Sequence, residues 1–150
     1  MSVGFQDCVI LMADDDPADI MLTKRAFEDA RLDNTFRTVS DGEELLRYLN
    51  GEDGFANRDS YPYPDLVLLD LNMPRMDGRQ ALSQIRANEK HKLLPVVVLT
   101  TSHQEQDVLE SYDIGANSYI TKPVDFDNLV EAVSTLSTYW FKLVKRPSKS

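Results

Sequence analysis

The chain has 150 residues, of which 42% are hydrophobic and 27% charged, and its formal net charge at pH 7 is −9. This length predicts a single domain over residues 1–150, with a core from about 8 to 144 and a short basic tail at 145–150. The acidity argues against DNA or RNA binding, which needs a positive field. The sequence shows no apolar stretch of transmembrane length and no secretory signal pattern, so we expect a cytoplasmic protein without a membrane partner.

The first part of the chain predicts two strand–helix units. An apolar run at 8–12 indicates the first strand, and Pro17 suits the first turn of a helix that Asp16 caps. Residues 35–39 indicate the second strand. The sequence Ser-Asp-Gly at 40–42 then opens a second, shorter helix.

The middle of the chain begins with a break in this alternation. Residues 51–64 contain prolines, turn-forming residues and aromatic residues, and so long a connection predicts an insertion loop that is either functional or disordered. At 66–70 the run Leu-Val-Leu-Leu-Asp predicts a fully buried strand of a parallel sheet. Residues 79–87 predict a third helix with its apolar side facing inward.

The alternation continues through the last third of the chain. Residues 96–100 predict a fourth buried strand, about 105–114 a fourth helix, and 118–121 a short fifth strand. The last predicted helix begins near Asp125 and carries apolar residues at three- and four-residue steps. Five strands alternating with five helices predict an α/β protein whose parallel sheet is covered on both faces.

Polar side chains come at the ends of four predicted strands. Asp14 and Asp15 follow the first strand, Asp70 ends the third, Thr100 ends the fourth, and Lys122 follows the fifth. Open α/β sheets bind their ligands at the carboxyl ends of the strands. We therefore expect these groups to converge on one crevice.

The acidic members of this group suit a magnesium site. Mg²⁺ prefers oxygen ligands, which Asp15 and Asp70 supply as carboxylates and Asn72 as a backbone carbonyl, while Asp14 can hold a metal-bound water. Like charges about 4 Å apart cost about 4 kcal/mol at an effective dielectric constant of about 20, so the cluster favours a metal over a stabilising role. A carboxylate in this setting is also a nucleophile toward phosphorus, which makes Asp70 a candidate phospho-acceptor.

Two further residues suit phosphoryl transfer. Lys122 can place a positive charge opposite the metal, and the Thr100 hydroxyl can bind a phosphoryl oxygen. Each residue also has a structural explanation: Asp14 as part of a helix cap, Asp70 as the start of a turn, and Lys122 in a surface ion pair. Their joint occurrence at one sheet edge favours the chemical explanation.

The sequence Asp-Leu-Asn-Met-Pro-Arg-Met-Asp-Gly at 70–78 resembles the phospho-acceptor loop of bacterial response-regulator receiver domains. The resemblance extends from about residue 9 to about residue 144. It implies a flavodoxin-like, doubly wound (βα)5 sandwich, with a five-stranded parallel sheet in the order 2-1-3-4-5. The same resemblance implies a signalling domain rather than an enzyme with a separate substrate.

The resemblance also implies a role for each polar residue at the sheet edge. It makes Asp70 the phosphorylated aspartate, Asp14 and Asp15 the metal-site acids, and Lys122 the lysine that contacts the phosphoryl group. Thr100 takes the place of the switch hydroxyl. Receiver domains also have an aromatic switch position three residues before the lysine, and here that position is Tyr119.

Several segments are similar to the single-domain regulators paired with bacterial phytochromes. They are residues 97–102, residues 111–126, the insertion at 51–64 and the aromatic run at 139–141. This resemblance implies a histidine kinase of the phytochrome type as phosphoryl donor, with an unknown downstream protein as target. Because three consecutive aromatic residues span more than one helical face, we also expect a homodimer through the fourth helix, fifth strand and fifth helix.

Two alternatives from other classes remain open on sequence grounds. A haloacid dehalogenase-type phosphatase also uses an aspartate nucleophile at a strand end, but it needs a second aspartate two residues later, where this chain has Asn72. A flavodoxin-like electron carrier needs a hydroxyl- and glycine-rich phosphate loop after the first strand. The acidic sequence at 14–16 would instead repel a flavin phosphate.

The remaining candidate ligands have simpler explanations. His91 and His103 have no cysteine or carboxylate at ligand spacing, and we expect both to lie at the surface. Met73 and Met76 are expected to pack within their loop. The single cysteine, Cys8, excludes an internal disulfide and is expected to be a buried apolar residue.

Overall fold

The computed structural model describes residues 8–29, 34–100, 115–116, 118–121, 130–131 and 134. Most of the predicted fourth helix and of the last helix lies outside these residues, as do His103, Lys122, the aromatic run at 139–141 and the basic tail. Among the described residues, no helix is long and apolar enough to cross a membrane.

Five parallel strands form one sheet in the spatial order β2-β1-β3-β4-β5. The strands are β1 (Cys8–Ala13), β2 (Asn34–Val39), β3 (Leu66–Asp70), β4 (Val96–Thr100) and β5 (Ser118–Thr121). The prediction of an α/β fold with a parallel sheet is confirmed. β1 is one residue longer than predicted, because Ala13 still pairs with Val39 on one side and Leu69 on the other.

The described residues include three helices with defined bounds, and an aspartate directly precedes each of them. They are α1 (Pro17–Asp29), α2 (Gly42–Asn50) and α3 (Gly78–Ala87). Before α1, the Asp16 carboxylate accepts a hydrogen bond from Ala18 N, as predicted for a cap. Asp41 caps α2 through Glu44 N, and Asp77 forms a capping box with Gln80 at α3. These caps fix where each helix leaves the carboxyl edge of the sheet.

The core lies on both faces of the sheet. On one face, Leu11 and Leu69 pack with the buried sides of α2 and α3, among them Leu45 and Ile85. On the other face, alternate strand residues pack with Ala26 and Phe27 of α1; they are Ile10, Met12, Leu66 and Leu68. β3 is buried at every position, as its unbroken apolar run predicts. Each large apolar side chain buried in this way contributes about 1.5–3 kcal/mol to the stability of the fold.

The insertion at 51–64 is packed against α2. The rings of Tyr48, Phe55 and Tyr61 contact one another, with centroids 5.0 to 5.9 Å apart. Arg58 donates hydrogen bonds to three backbone carbonyls, two at the end of α2 and one within the insertion. The Tyr48 hydroxyl donates to Pro62 O at 2.8 Å. Of the two predicted alternatives, disorder is wrong, because aromatic packing and hydrogen bonds hold the segment in place.

His91 is buried rather than at the surface, and the prediction for this residue was wrong. Its exposed fraction is only 4%, and its two ring nitrogens lie at hydrogen-bond distance from Tyr63 and Asn50. The ring is buried because the α3–β4 connection turns against the insertion, where these polar partners satisfy it. The prediction of loop packing holds for the two methionines: Met73 is buried in the core and Met76 packs against it.

Candidate functional site

The sheet register brings the carboxylates of β1 and β3 together. Ala13 lies opposite Leu69, so the next residues along the two adjacent strands, Asp14 and Asp70, come side by side. Asp15 follows at the start of the turn into α1. This arrangement follows from adjacency of the first and third strands at the carboxyl edge, where doubly wound sheets place their sites.

One carboxylate oxygen from each of Asp14, Asp15 and Asp70 lies within 4.8 Å of the others. Asp14 and Asp70 are buried, whereas Asp15 is exposed to solvent. Three negative groups at this separation repel one another strongly. An all-oxygen set that is buried on one side and open to water on the other suits a hard divalent cation that keeps several waters. The cluster therefore has the ligand atoms and the solvent access of an acidic metal site.

Backbone hydrogen bonds orient the two buried carboxylates. Asp14 Oδ1 accepts from Asp16 N at 2.9 Å, and Asp70 Oδ1 accepts from Asn72 N at 3.1 Å. The backbone of Asp14 is also fixed, because its N–H donates to Val39 O at the end of β2. The carboxylates are therefore held in place by the strand ends themselves, which reduces the reorganisation needed to bind a cation.

The loop from Leu71 to Asp77 closes on itself beyond Asp70. Gly78 N donates to Leu71 O at 2.9 Å, which joins the two ends of the loop. A Cβ atom on Gly78 would collide with the carbonyl oxygen of Asp70. Glycine at position 78 thus permits the close approach of α3 to the strand end that carries the candidate acceptor.

The other predicted site residues lie on or next to β4 and β5. Thr100 is the last residue of β4 and pairs with Thr121, and Tyr119 pairs with Val98. Asp70 at the end of β3 pairs with Leu99 of β4, so Thr100 is the next residue of β4 after the partner of Asp70. The structure describes the backbone at Thr100 and Tyr119. Lys122, which follows Thr121 in the chain, lies outside the described residues.

Sequence analysis missed one ion pair next to this site. Arg75, in the loop after Asp70, binds the buried carboxylate of Asp41 at the start of α2. Burial disfavours the charged form of Asp41, but hydrogen bonds from Glu44 N and Arg75, with the positive charge of Arg75, outweigh it and lower the pKa of this carboxyl. The two residues are 34 positions apart, and no local pattern marks them as partners.

Comparison with known proteins gives consistent matches over most of the chain. The response regulator receiver domain family matches residues 10–134. Response regulator Rcp1 of Synechocystis sp. is 36% identical over 140 residues, covering 93% of each chain. The Mn²⁺-bound structure of Rcp1 superposes with a TM-score of 0.80 at 35% identity, over 95% of this chain and all of that one (100%).

Two other solved structures are similar. Response regulator RPA3017, from red light signaling of R. palustris, has a TM-score of 0.83 and 38% identity, over 95% of this chain and 97% of its own. The phosphorylated cyanobacterial phytochrome response regulator RcpA has a TM-score of 0.80 and 38% identity, over 95% of this chain and 99% of its own. Both are response regulators of light signalling by their descriptions.

A parallel α/β sheet with a carboxylate cluster at its carboxyl edge defines a class of proteins that bind a hard cation beside an acidic strand end. Within that class, the chain belongs to the response regulator receiver domain family. It is thus a phospho-acceptor signalling domain of two-component systems, with relatives among phytochrome-associated regulators. This membership decides against the phosphatase and electron-carrier alternatives.

Proposed function

We propose that this protein is a single-domain response regulator in which Asp70 accepts a phosphoryl group from a histidine kinase. The observation that carries the proposal is the placement of Asp70 at the end of the buried strand β3, with its carboxylate within 4.8 Å of those of Asp14 and Asp15. The rest of the domain holds this arrangement in place.

In the proposed reaction, a carboxylate oxygen of Asp70 forms a bond to phosphorus as the bond from phosphorus to the donor breaks. Asp14, Asp15, Asp70 and the backbone carbonyl of Asn72 would hold Mg²⁺, which when bound supplies positive charge beside the phosphoryl oxygens. The donor histidine keeps the electron pair of the broken bond and takes up a proton from water.

Thr100 at the end of β4 and Lys122, which follows β5 in the chain, complete the proposed site. Lys122 contributes an ammonium group that balances the charge of the transferred phosphoryl group. Thr100 donates its hydroxyl to a phosphoryl oxygen, and that contact biases the rotamer of Tyr119 on the neighbouring strand β5. Thr100 pairs with Thr121, which is two residues after Tyr119 on β5. The proposed conformational change therefore has to travel only a short distance from the phosphorylation site to the surface.

The surface that changes is proposed to be the one formed by the fourth helix, β5 and the fifth helix, in a complete (βα)5 domain over residues 1–150. Through it the protein forms a homodimer and binds its downstream partner. The proposed kinase is of the phytochrome type, because RcpA, 38% identical, is described as a phytochrome response regulator.

Phosphorylation of Asp70 is tested with Mg²⁺ and acetyl phosphate, followed by intact-mass and peptide mass spectrometry. We expect one phosphoryl group on wild type, none on Asp70→Asn, and an unchanged result for Asp59→Asn, which removes the same charge from an exposed position in the insertion. An adduct that persists undiminished in Asp70→Asn would refute the assignment. Omission of Mg²⁺ should prevent the reaction in wild type.

The dimer is tested by sedimentation velocity at several protein concentrations, with and without beryllofluoride and Mg²⁺. Beryllofluoride imitates the phosphoryl group on an aspartate, so we expect it to shift the monomer–dimer equilibrium of wild type and to leave Asp70→Asn unchanged. A strictly monomeric species in both states, well above micromolar concentration, would rule out the dimer.

A further inference from the structure

The loop after Asp70 is bound to the start of α2 by an ion pair whose acidic member is buried. Arg75 Nε and Nη2 both contact Asp41 Oδ2, at 2.8 and 2.7 Å. The Asp41 side chain is only 5% exposed, whereas that of Arg75 is largely exposed. A guanidinium held at two of its nitrogens has a fixed orientation, so this contact restrains the loop as well as neutralising the buried charge.

Asp41 serves two elements with its two oxygens. Oδ1 accepts from Glu44 N at 2.8 Å and caps α2, while Oδ2 binds Arg75. A helix cap needs only one oxygen acceptor, which serine or asparagine also supplies. The second oxygen is therefore committed to the acceptor loop, and a capping requirement alone does not explain it.

Backbone contacts bring the same two segments together. Gly42 N donates to Met76 O at 3.0 Å, and a Cβ atom on Gly42 would lie 2.5 Å from that oxygen. Arg75 itself has a φ of +65°, a conformation that is unfavourable for any residue with a side chain. Contacts from the surrounding structure can hold a non-glycine residue in this conformation, and Arg75 makes such a contact with the Asp41 carboxylate.

The two joined segments follow β2 and β3, the strands that flank β1 in the sheet. Asp41 comes two residues after Val39, whose carbonyl accepts from Asp14 N at 3.1 Å. Arg75 lies in the loop that begins at Asp70 and contains Asn72. The ion pair thus ties the loop after Asp70 to the segment after β2, whose Val39 carbonyl holds the backbone of Asp14.

We propose that Arg75 and Asp41 are positioning residues that hold the acceptor loop in the conformation in which the acidic cluster binds its cation and Asp70 is phosphorylated. The inference rests on the proposed function of Asp70, and it adds the residues that set the geometry of that site. Neither Arg75 nor Asp41 touches the phosphoryl group in this proposal.

Three variants separate positioning from folding. Arg75→Gly removes the guanidinium and suits the positive φ, so it should fold; Asp41→Ser keeps an oxygen for the helix cap and removes the partner of Arg75. Arg47→Ala is the matched control, because it breaks an exposed ion pair, Arg47–Asp53, at 3.7 Å and makes the same change of charge at the other end of α2. The double variant Arg75→Gly/Asp41→Ser completes a double-mutant cycle with the two single variants.

The measurements are the Kd for Mg²⁺ by isothermal titration calorimetry, the KM and maximal rate with acetyl phosphate, and hydrogen exchange of the Gly42 amide. We expect Arg75→Gly and Asp41→Ser each to weaken Mg²⁺ binding and to slow phosphorylation by about 10-fold, and to accelerate Gly42 exchange. The double variant should be no worse than either single variant, because both remove the same restraint. Arg47→Ala should stay within about twofold of wild type.

Folded Arg75→Gly and Asp41→Ser proteins with wild-type Mg²⁺ affinity and wild-type phosphorylation would overturn the proposal, whatever their stability. Failure of the proposed function gives a different result: wild type would not be phosphorylated, or Asp70→Asn would be. The Mg²⁺ affinity and the exchange rate of the Gly42 amide do not depend on phosphoryl transfer. They therefore test the positioning role whether or not Asp70 is phosphorylated.

Discussion

The Tyr63 hydroxyl lies 2.7 Å from His91 Nδ1, and the two rings are stacked with centroids 5.6 Å apart. On the other side of the imidazole, Nε2 lies 2.8 Å from Asn50 Oδ1. Because an amide oxygen only accepts, Nε2 carries the proton and Nδ1 accepts from Tyr63. His91 is therefore a neutral imidazole that joins the insertion, the end of α2 and the α3–β4 connection.

We expect protonation of His91 to destabilise the fold. Burial, followed by the positive charges of Lys90 and Arg58, lowers the pKa of His91 below its usual 6.5. The unfolded chain therefore binds this proton more readily, so the contribution of His91 to stability is complete above about pH 6.5 and is lost as the pH falls through the lower native pKa. Urea unfolding at about pH 7.5, 6.5 and 5.5, compared between wild type and His91→Gln, measures it.

The difference in unfolding free energy between wild type and His91→Gln should shrink as the pH falls. Taking this difference removes every effect of pH that the two proteins share. A difference that stays constant over this range would contradict a buried neutral histidine.

Removal of the Arg58 side chain should release the insertion from α2. Arg58→Ala deletes hydrogen bonds to the carbonyls of Tyr48, Leu49 and Tyr61, and we expect a loss of about 1–2 kcal/mol of unfolding free energy. Limited proteolysis within 51–64 should become faster. Arg58→Lys keeps the positive charge, but its single ammonium group cannot reach all three carbonyls. Its unfolding free energy and its rate of proteolysis should lie between those of wild type and Arg58→Ala. An Arg58→Ala protein as stable and as protease-resistant as wild type would show that aromatic packing alone holds the segment.

Asp15→Asn should stabilise the metal-free protein. The change removes one of three negative charges that lie within 4.8 Å of one another, and we expect a gain of about 1 kcal/mol, measured by thermal melting in EDTA. Mg²⁺ should raise the Tm of wild type by binding the native state, and raise that of Asp15→Asn much less. Asp59→Asn, outside the cluster, should melt like wild type under both conditions. Melting curves of wild type that do not respond to Mg²⁺ would argue against the metal site.

Gly78→Ala should damage the acceptor loop as well as the fold. The new methyl group collides with the Asp70 carbonyl oxygen and contacts Leu71, so we expect a loss of about 2 kcal/mol or more and slower phosphorylation at Asp70. Gly54→Ala is the control, because Gly54 has a φ of +97° but open space around it, and strain alone should cost about 1 kcal/mol. Equal effects of the two substitutions on stability and phosphorylation would refute the collision.

The sequence alone determined the strands and the position of the acidic site. All five residues of β3, four apolar residues and Asp70, are buried, and the end of the strand was predicted correctly at Asp70. Asp14, Asp15 and Asp70 could be assigned to one edge of the sheet because parallel strands align their carboxyl ends, while the adjacency of the first and third strands was implied by the family resemblance. The cap at Asp16 and the start of a helix at 40–42 were also readable, because a helix start depends on residues within one turn.

Only the tertiary structure decided the contacts that join distant segments. His91 was predicted at the surface, yet it is buried because Tyr63 and Asn50, 28 and 41 residues away, satisfy its two nitrogens. Arg75 and Asp41, 34 residues apart, became partners in the same way. Hydrophobic periodicity reports which side of an element faces the core, but it carries no information about which polar group of another segment will meet a given side chain. That choice is made when the loops pack against one another, where burial makes an unpaired donor or charge too costly.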